Sequence, residues 1–163
     1  MDRLSEASLE NEYYTDHVEL MISSFANLTR RKLLEGDYAS ALDRARALYE
    51  APFAVVSHGT EDIPIFNYGN LAGQKAFEMS WTEFCHLESH KSAEGITQEE
   101  RDALLARVTA DGFIDDYRGV RISSTGQRFM IEDAVVWNLV DEDGVYRGQA
   151  AVLYKWSSLR SQP

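Results

Sequence analysis

The polar residues best placed for chemistry lie between Gly112 and Trp156, on three strand-like segments joined by two glycine turns. Arg118, Glu132 and Tyr154 fall one to a segment, so a cation, a carboxylate and a phenol would meet on one sheet face. The plain reading is a cross-strand charge pair that stabilises the sheet. The sharper reading is a clamp for a polar or anionic small molecule. Tyr117, Arg121 and Gln149 offer a similar cluster on the opposite face, which also carries Phe113, Phe129, Asp133, Trp137 and Leu153. Gly148, opposite Asn138, leaves room for something to approach the backbone. Were the chain an enzyme acting on a small polar substrate, its centre would be Arg118, Glu132 and Tyr154, or Tyr117, Asp133 and Arg121.

Other chemistry is sparse. Cys85 is the single cysteine, which rules out an internal disulfide or a cysteine-based metal cluster. His86 and His90 are four residues apart, with Glu88 and Glu94 nearby. On a helix both imidazoles would share a face and could ligate a metal. The stretch from Leu87 to Gly95 reads as irregular, however, and no motif completes such a site. There is no glycine-rich phosphate loop and no nucleophile elbow. Binding therefore outranks catalysis, and no cofactor is specified.

These side chains need a scaffold. The turns Ser123-Ser124-Thr125-Gly126-Gln127 and Asp141-Glu142-Asp143-Gly144-Val145 each put glycine where a three-residue hairpin loop needs a left-handed residue. Pairing Ser123 with Gln127 and Asp141 with Val145 sets the register used above, and a slip of one residue exchanges the faces. Upstream, Val18, Met21, Ile22, Phe25 and Leu28 recur at helical spacing within 16–34. A second helix follows Gly36-Asp37 and ends before Pro52. Phe53–Ser57 and Pro64–Tyr68 read as strands. Asn70 caps the next helix, Ser80-Trp81-Thr82-Glu83 is a capping box with Trp81 packed as core, and Thr97-Gln98-Glu99-Glu100 is a second box whose helix stops at Gly112. Residues 1–12 are polar and expected to fray. The fold class is α+β. One antiparallel sheet has residues 70–110 on one face, and the N-terminal helices either cover the other face or form a dimer interface.

The chain has 163 residues, with 16 Lys and Arg against 27 Asp and Glu, a formal charge of −11. Such a surface repels phosphate backbones and anionic lipid heads, so neither nucleic acid nor membrane is an expected partner. The short cluster Arg30-Arg31-Lys32 reads as a solvated helix end. No signal peptide and no spanning stretch of about 20 apolar residues is visible, which makes the cytoplasm the default location.

Several ordered motifs resemble those of PAS domains, and more closely the PAS-like MEKHLA domain family. They are Phe66-Asn67-Tyr68-Gly69-Asn70, Ser92-Ala93-Glu94, the run Gly112 to Ser123, Trp137-Asn138-Leu139-Val140-Asp141-Glu142 and Gly148-Gln149-Ala150-Ala151. The resemblance runs from about residue 21 to 156. It implies a PAS-like five-stranded antiparallel sheet with a helical flank at 51–158, preceded by an N-terminal helical extension at 1–50. It also implies a sensory or small-ligand-binding module that signals through a protein partner or a homodimer, or an interaction module with no ligand. In PAS-like folds the region of Asn70 and Trp81 edges the ligand cavity. The candidate ligand-binding set is thus Asn70, Trp81, Tyr117, Arg118, Arg121, Glu132, Trp137, Asn138, Gln149 and Tyr154. Cys85 lies near the flavin-reactive cysteine of photosensory relatives but lacks their surrounding motif, and it reads as a small hydrophobe. Haem ligation by one histidine is a further option that PAS-like folds admit.

Overall fold

The computed structural model describes residues 5–93 and 98–159. A 3-10 segment at Leu9–Tyr14 leads into α1 (Thr15–Thr29) and α2 (Ala41–Tyr49). Strands β1 (Ala54–His58) and β2 (Phe66–Gly69) precede α3 (Leu71–Phe77), α4 (Trp81–Phe84), a 3-10 turn at Ser89–Ser92 and α5 (Gln98–Asp111). The chain closes with β3 (Phe113–Ile122), β4 (Arg128–Val140), β5 (Tyr146–Leu153) and β6 (Lys155–Ser158). The Asn70 and Ser80 caps form as their sequences dictate, Asn70 accepting from the Gly73 amide and Ser80 sharing a capping box with Glu83. Thr97, which would open the second box, lies outside the described residues. α1 stops at Thr29, short of the expected 34, because Thr29 Oγ1 donates back to the Phe25 carbonyl and Arg30 turns left-handed (φ 62°).

The sheet is antiparallel with strand order β2-β1-β5-β4-β3, and β6 pairs with the first part of β4. The crossing from β2 to β3 lays α3 and α5 over one face, with α4 at the β2 edge sending Phe84 to that face and Trp81 to the other. The N-terminal helices cover the other: Val18, Met21, Phe25 and Leu48 pack against Val55, Val135, Trp137, Leu139 and Val152. Each large side chain buried this way contributes about 2 kcal/mol. Polar bonds fix the seam as well. Trp137 Nε1 donates to the Met21 carbonyl at 3.2 Å, and Ser24 Oγ both donates to the Val140 carbonyl (3.1 Å) and accepts from its amide (3.0 Å). Of the two roles open to the helices, α1 takes the first, covering its own sheet.

Residues 5–14 are packed, not frayed. Tyr14 stacks on Trp81 with ring centroids 5.3 Å apart, its hydroxyl donates to the Ser5 carbonyl at 2.6 Å, and the Tyr49 hydroxyl donates to the Glu6 carboxylate. The polar composition of this segment hides the aromatic surface it must cover.

Both hairpin turns form with the expected pairing. The Ser123 amide donates to the Gln127 carbonyl at 2.9 Å and the Asp141 amide to the Val145 carbonyl at 3.0 Å. Further out the register departs from simple counting. Asp133 is left-handed (φ 53°), and the ladder passes from Gly119↔Ile131 to Tyr117↔Ala134, leaving Arg118 across from Glu132 and Asp133 together. Arg147 bulges out between Val140↔Tyr146 and Leu139↔Gly148, so Trp137 pairs with Ala150 and Asn138 with Gln149. A bulge moves every residue beyond it to the other face. A further irregularity lies in β3 itself, between Ile114↔Val136 and Tyr117↔Ala134. Trp137 and Phe113 therefore turn toward α1, away from Gln149, Tyr117 and Arg121. Glu132 pairs with Lys155, one residue past Tyr154.

Candidate ligand cavity

Between the sheet and its α3–α5 flank lies a cavity of about 500 Å³. That volume is in the range of small-molecule sites. Its floor comes from four strands: Val56 and His58 on β1, Gln149, Ala151 and Leu153 on β5, Ile131 and Val136 on β4, and Tyr117 and Arg121 on β3. Its roof comes from Phe77 of α3, Leu104 of α5 and the turn at Ser89–Ser92. The turn is held against the sheet edge by a bridge between Ala93 and Arg121 and, on its other side, by one between Ile65 and Glu88. Space survives at the centre because Ala151 sits where its partners are Val56 and Val136, and a methyl group leaves the middle of the floor unfilled.

The polar side chains of the lining are positioned by neighbours. Asn138 Nδ2 donates to the Val108 carbonyl of α5 at 3.4 Å, and Asn138 Oδ1 accepts from Gln149 Nε2 at 3.1 Å. Gln149 is thereby tethered to the helical flank. Tyr117 lies along β3 over Gly119, whose missing side chain gives it room, and the Arg121 guanidinium sits 5.5 Å from the Tyr117 ring centroid. His58 Nδ1 donates to the Gly59 carbonyl at 2.9 Å, which fixes its tautomer since a carbonyl only accepts. Burial raises the Tyr146 phenol above its ordinary value at the rim.

The structure brings together Tyr117, Arg121 and Gln149 on the lining, with Asn138 behind them. The other residues singled out from the sequence lie elsewhere. Asn70 is fully buried and spends all its bonding capacity on backbone. Trp81 packs among Tyr14, Tyr49 and Tyr68 on the far side of the sheet. Trp137 is buried under α1. Arg118 and Glu132 form an ion pair at 3.7 Å but are 67% and 50% exposed, away from the cavity. Tyr154 packs on Phe53 at 5.4 Å and is exposed. The room expected beside Gly148 is taken by β1: a Cβ there would stand 2.1 Å from the His58 carbonyl oxygen.

Cys85 caps the end of α4 and packs against the N-terminal core, not the cavity. His86 Nδ1 donates to the Thr82 carbonyl, while His90 lies at the cavity rim 3.5 Å from Glu88. Among the described residues no group of three His, Cys, Asp or Glu side chains is placed to hold a metal ion. No helix among them is long and apolar enough to cross a membrane.

The profile of the MEKHLA domain family matches residues 15–158. The chain belongs to the MEKHLA domain family. The match takes in α1 and α2 as well as the sheet. This MEKHLA domain also shares its fold with solved PAS structures. The PAS domain of a protein from Colwellia psychrerythraea is 14% identical with a TM-score of 0.59, over 71% of this chain and 93% of that one. The photo-excited blue-light photoreceptor Vivid, a fungal protein, is 11% identical with a TM-score of 0.55, over 83% and 94%. A light-oxygen-voltage domain studied with a flavin analogue is 12% identical with a TM-score of 0.55, over 71% and 84%. At these identities the likeness is one of fold. No curated protein matches the chain.

The sequence reading missed His58, Phe66, Phe77, His90 and Tyr146 as lining residues. Alternation in β1 pairs Val56 with His58 on one face, and the small residues of Gly148-Gln149-Ala150-Ala151 mark unfilled volume at the sheet centre. Those two signals together would have located the floor.

Proposed function

We propose that this MEKHLA domain is a sensory module that holds a small molecule between its sheet and its helical flank and signals through protein contacts. The observation that supports it is the 500 Å³ cavity, whose mostly apolar wall carries a few polar side chains fixed by neighbours. In this reading residues 51–158 are the sensory module, 1–50 are its helical extension, and Tyr117, Arg121 and Gln149 meet the ligand. The apolar stripe of α1 is already used by the chain's own sheet, so a homodimer or a partner protein docks on another surface. The acidic surface favours proteins and small molecules as partners over nucleic acid or membrane, in a cytoplasmic setting.

The test is a fragment screen followed by amide chemical shifts, on the native chain and on Ala151→Phe, which places a ring in the middle of the floor. Binders are expected to shift the amides of β5 and of the Ser89–Ser92 turn, and to lose affinity for the filled variant while its fold is unchanged. Compounds that bind the filled variant equally well, or a screen in which no cavity amide moves, refute the reading.

A further inference from the structure

We propose that the ligand is an amphiphilic monoanion, an apolar body bearing one carboxylate-type group, with Arg121 as the residue that receives the charge. The inference rests on the ligand-binding reading and adds the chemistry of the occupant.

The first observation is the sign of the lining. The chain carries 27 acidic residues against 16 basic ones, yet among the described residues the cavity wall contains no Asp, Glu or Lys side chain. The one permanently charged group among its described residues is the Arg121 guanidinium. A wall so different from the rest of the surface is set for an anion.

The second observation is that Arg121 has no anion of its own. Arg44, Arg46, Arg107, Arg118 and Arg147 each stand within ion-pair distance of a carboxylate. Arg121 has none among the described residues. Its contacts are the Tyr117 ring and a long 3.5 Å approach to the Tyr117 hydroxyl. Stacking on a ring orients the guanidinium plane while leaving its edge donors for a ligand. A planar carboxylate matches that fork with two parallel hydrogen bonds.

The third observation is the rest of the wall. Phe66, Phe77, Leu104, Ile131 and Leu153 present apolar surface that a small inorganic anion cannot use. An alkyl or aryl body fills it, and Gln149 supplies one further polar contact.

Matched probes give the test. Decanoic acid and biphenyl-4-carboxylic acid, each beside its primary amide and its amine analogue, are titrated into the native chain by calorimetry and by amide shifts. The acids are expected to bind about 10- to 100-fold tighter than the amides, the gain of one charged hydrogen-bonded pair, and the amines weakest. Arg121→Gln is expected to erase the preference of acid over amide while keeping amide affinity. The ratio between alkyl and aryl acids tells which kind of body the wall prefers. Amides and amines that bind in the cavity as well as the acids overturn the anion while leaving the ligand-binding module standing. No cavity shift with any probe overturns both. The comparison on the native chain decides the sign without the variant, so a folding defect in Arg121→Gln does not remove the test.

Discussion

Asn70 is the residue whose removal tests the architecture most sharply. Its side chain is fully buried and makes four hydrogen bonds to backbone: Oδ1 accepts from the Val55 and Gly73 amides, and Nδ2 donates to the Leu48 and Phe53 carbonyls, all at 2.9 Å. One amide thus ties the end of α2 to the start of β1 and caps α3. Asn70→Ala takes the partner from the buried Val55 and Gly73 N–H groups and from the Phe53 carbonyl, while the Leu48 carbonyl keeps the Ala51 amide. Orphaned donors cost about 1–3 kcal/mol each, and carbonyls with a second lone pair cost less. The expected loss is about 4 kcal/mol, a large part of the roughly 5–15 kcal/mol available to a domain. In urea, with a slope of about 2 kcal/mol per molar, the midpoint moves down by about 2 M. Asn70→Asp keeps the acceptors but sets a carboxylate against two carbonyl oxygens, so at neutral pH it is expected to fare no better. The assay is equilibrium urea unfolding followed by tryptophan fluorescence and circular dichroism. A loss under about 1 kcal/mol for Asn70→Ala, or a neutral Asn70→Asp, refutes the bonding scheme.

Other perturbations follow from single features. Gly148→Ala puts a Cβ on the His58 carbonyl at a left-handed φ of 130°, and is expected to cost about 3–5 kcal/mol in thermal or urea unfolding. Tyr68→Phe is expected to gain about 1 kcal/mol at neutral pH, because the buried hydroxyl has no partner among the described residues. Burial also holds the Tyr68 phenol, and with a Glu6 bond the Tyr49 phenol, well above the ordinary value. Because the folded state holds these protons more tightly than the unfolded one, stability is undiminished below the ordinary value of about 10 and falls as pH rises above it. Ultraviolet titration should therefore show Tyr49 and Tyr68 ionising only as the chain unfolds. Asp141 is held below its usual range by the Val145 amide, by Arg147 and by the Asp143 amide. Its contribution is present above the ordinary carboxylate value near ~4 and fades as pH falls through the lowered folded value. The destabilisation by Asp141→Asn should accordingly be seen at pH 7 and vanish in acid, followed by thermal midpoint against pH.

The elements were legible because their signals are local. Ser80 and Glu83 cap α4 through groups three residues apart, and Gly126 and Gly144 fix both turns through their own left-handed backbones. The site was legible only in part. Tyr117 and Arg121 share a face through β3's period of two, because the extra residue at the irregularity between them lies on β4, at Asp133. Trp137 and Gln149 looked like face-mates until Arg147 bulged out of the ladder, beside Gly148, where β1 approaches closely. That contact joins residues far apart in sequence, and neither strand announces it alone. The helical roof was invisible for the same reason: Phe77 and Leu104 read as ordinary apolar helix positions, and only tertiary packing leaves a space beneath them.

The central claim is that a small molecule occupies the space between the sheet and the α3–α5 flank. Titration of the ¹⁵N-labelled chain with biphenyl-4-carboxylate tests it most directly. The amides of Tyr117, Arg121, Gln149 and Ala151 are expected to move together along one saturable curve, with those of Met21, Trp137 and Leu139 on the opposite side of the sheet left in place. Shifts that concentrate on the α1 side, scatter over the surface, or never saturate contradict the claim.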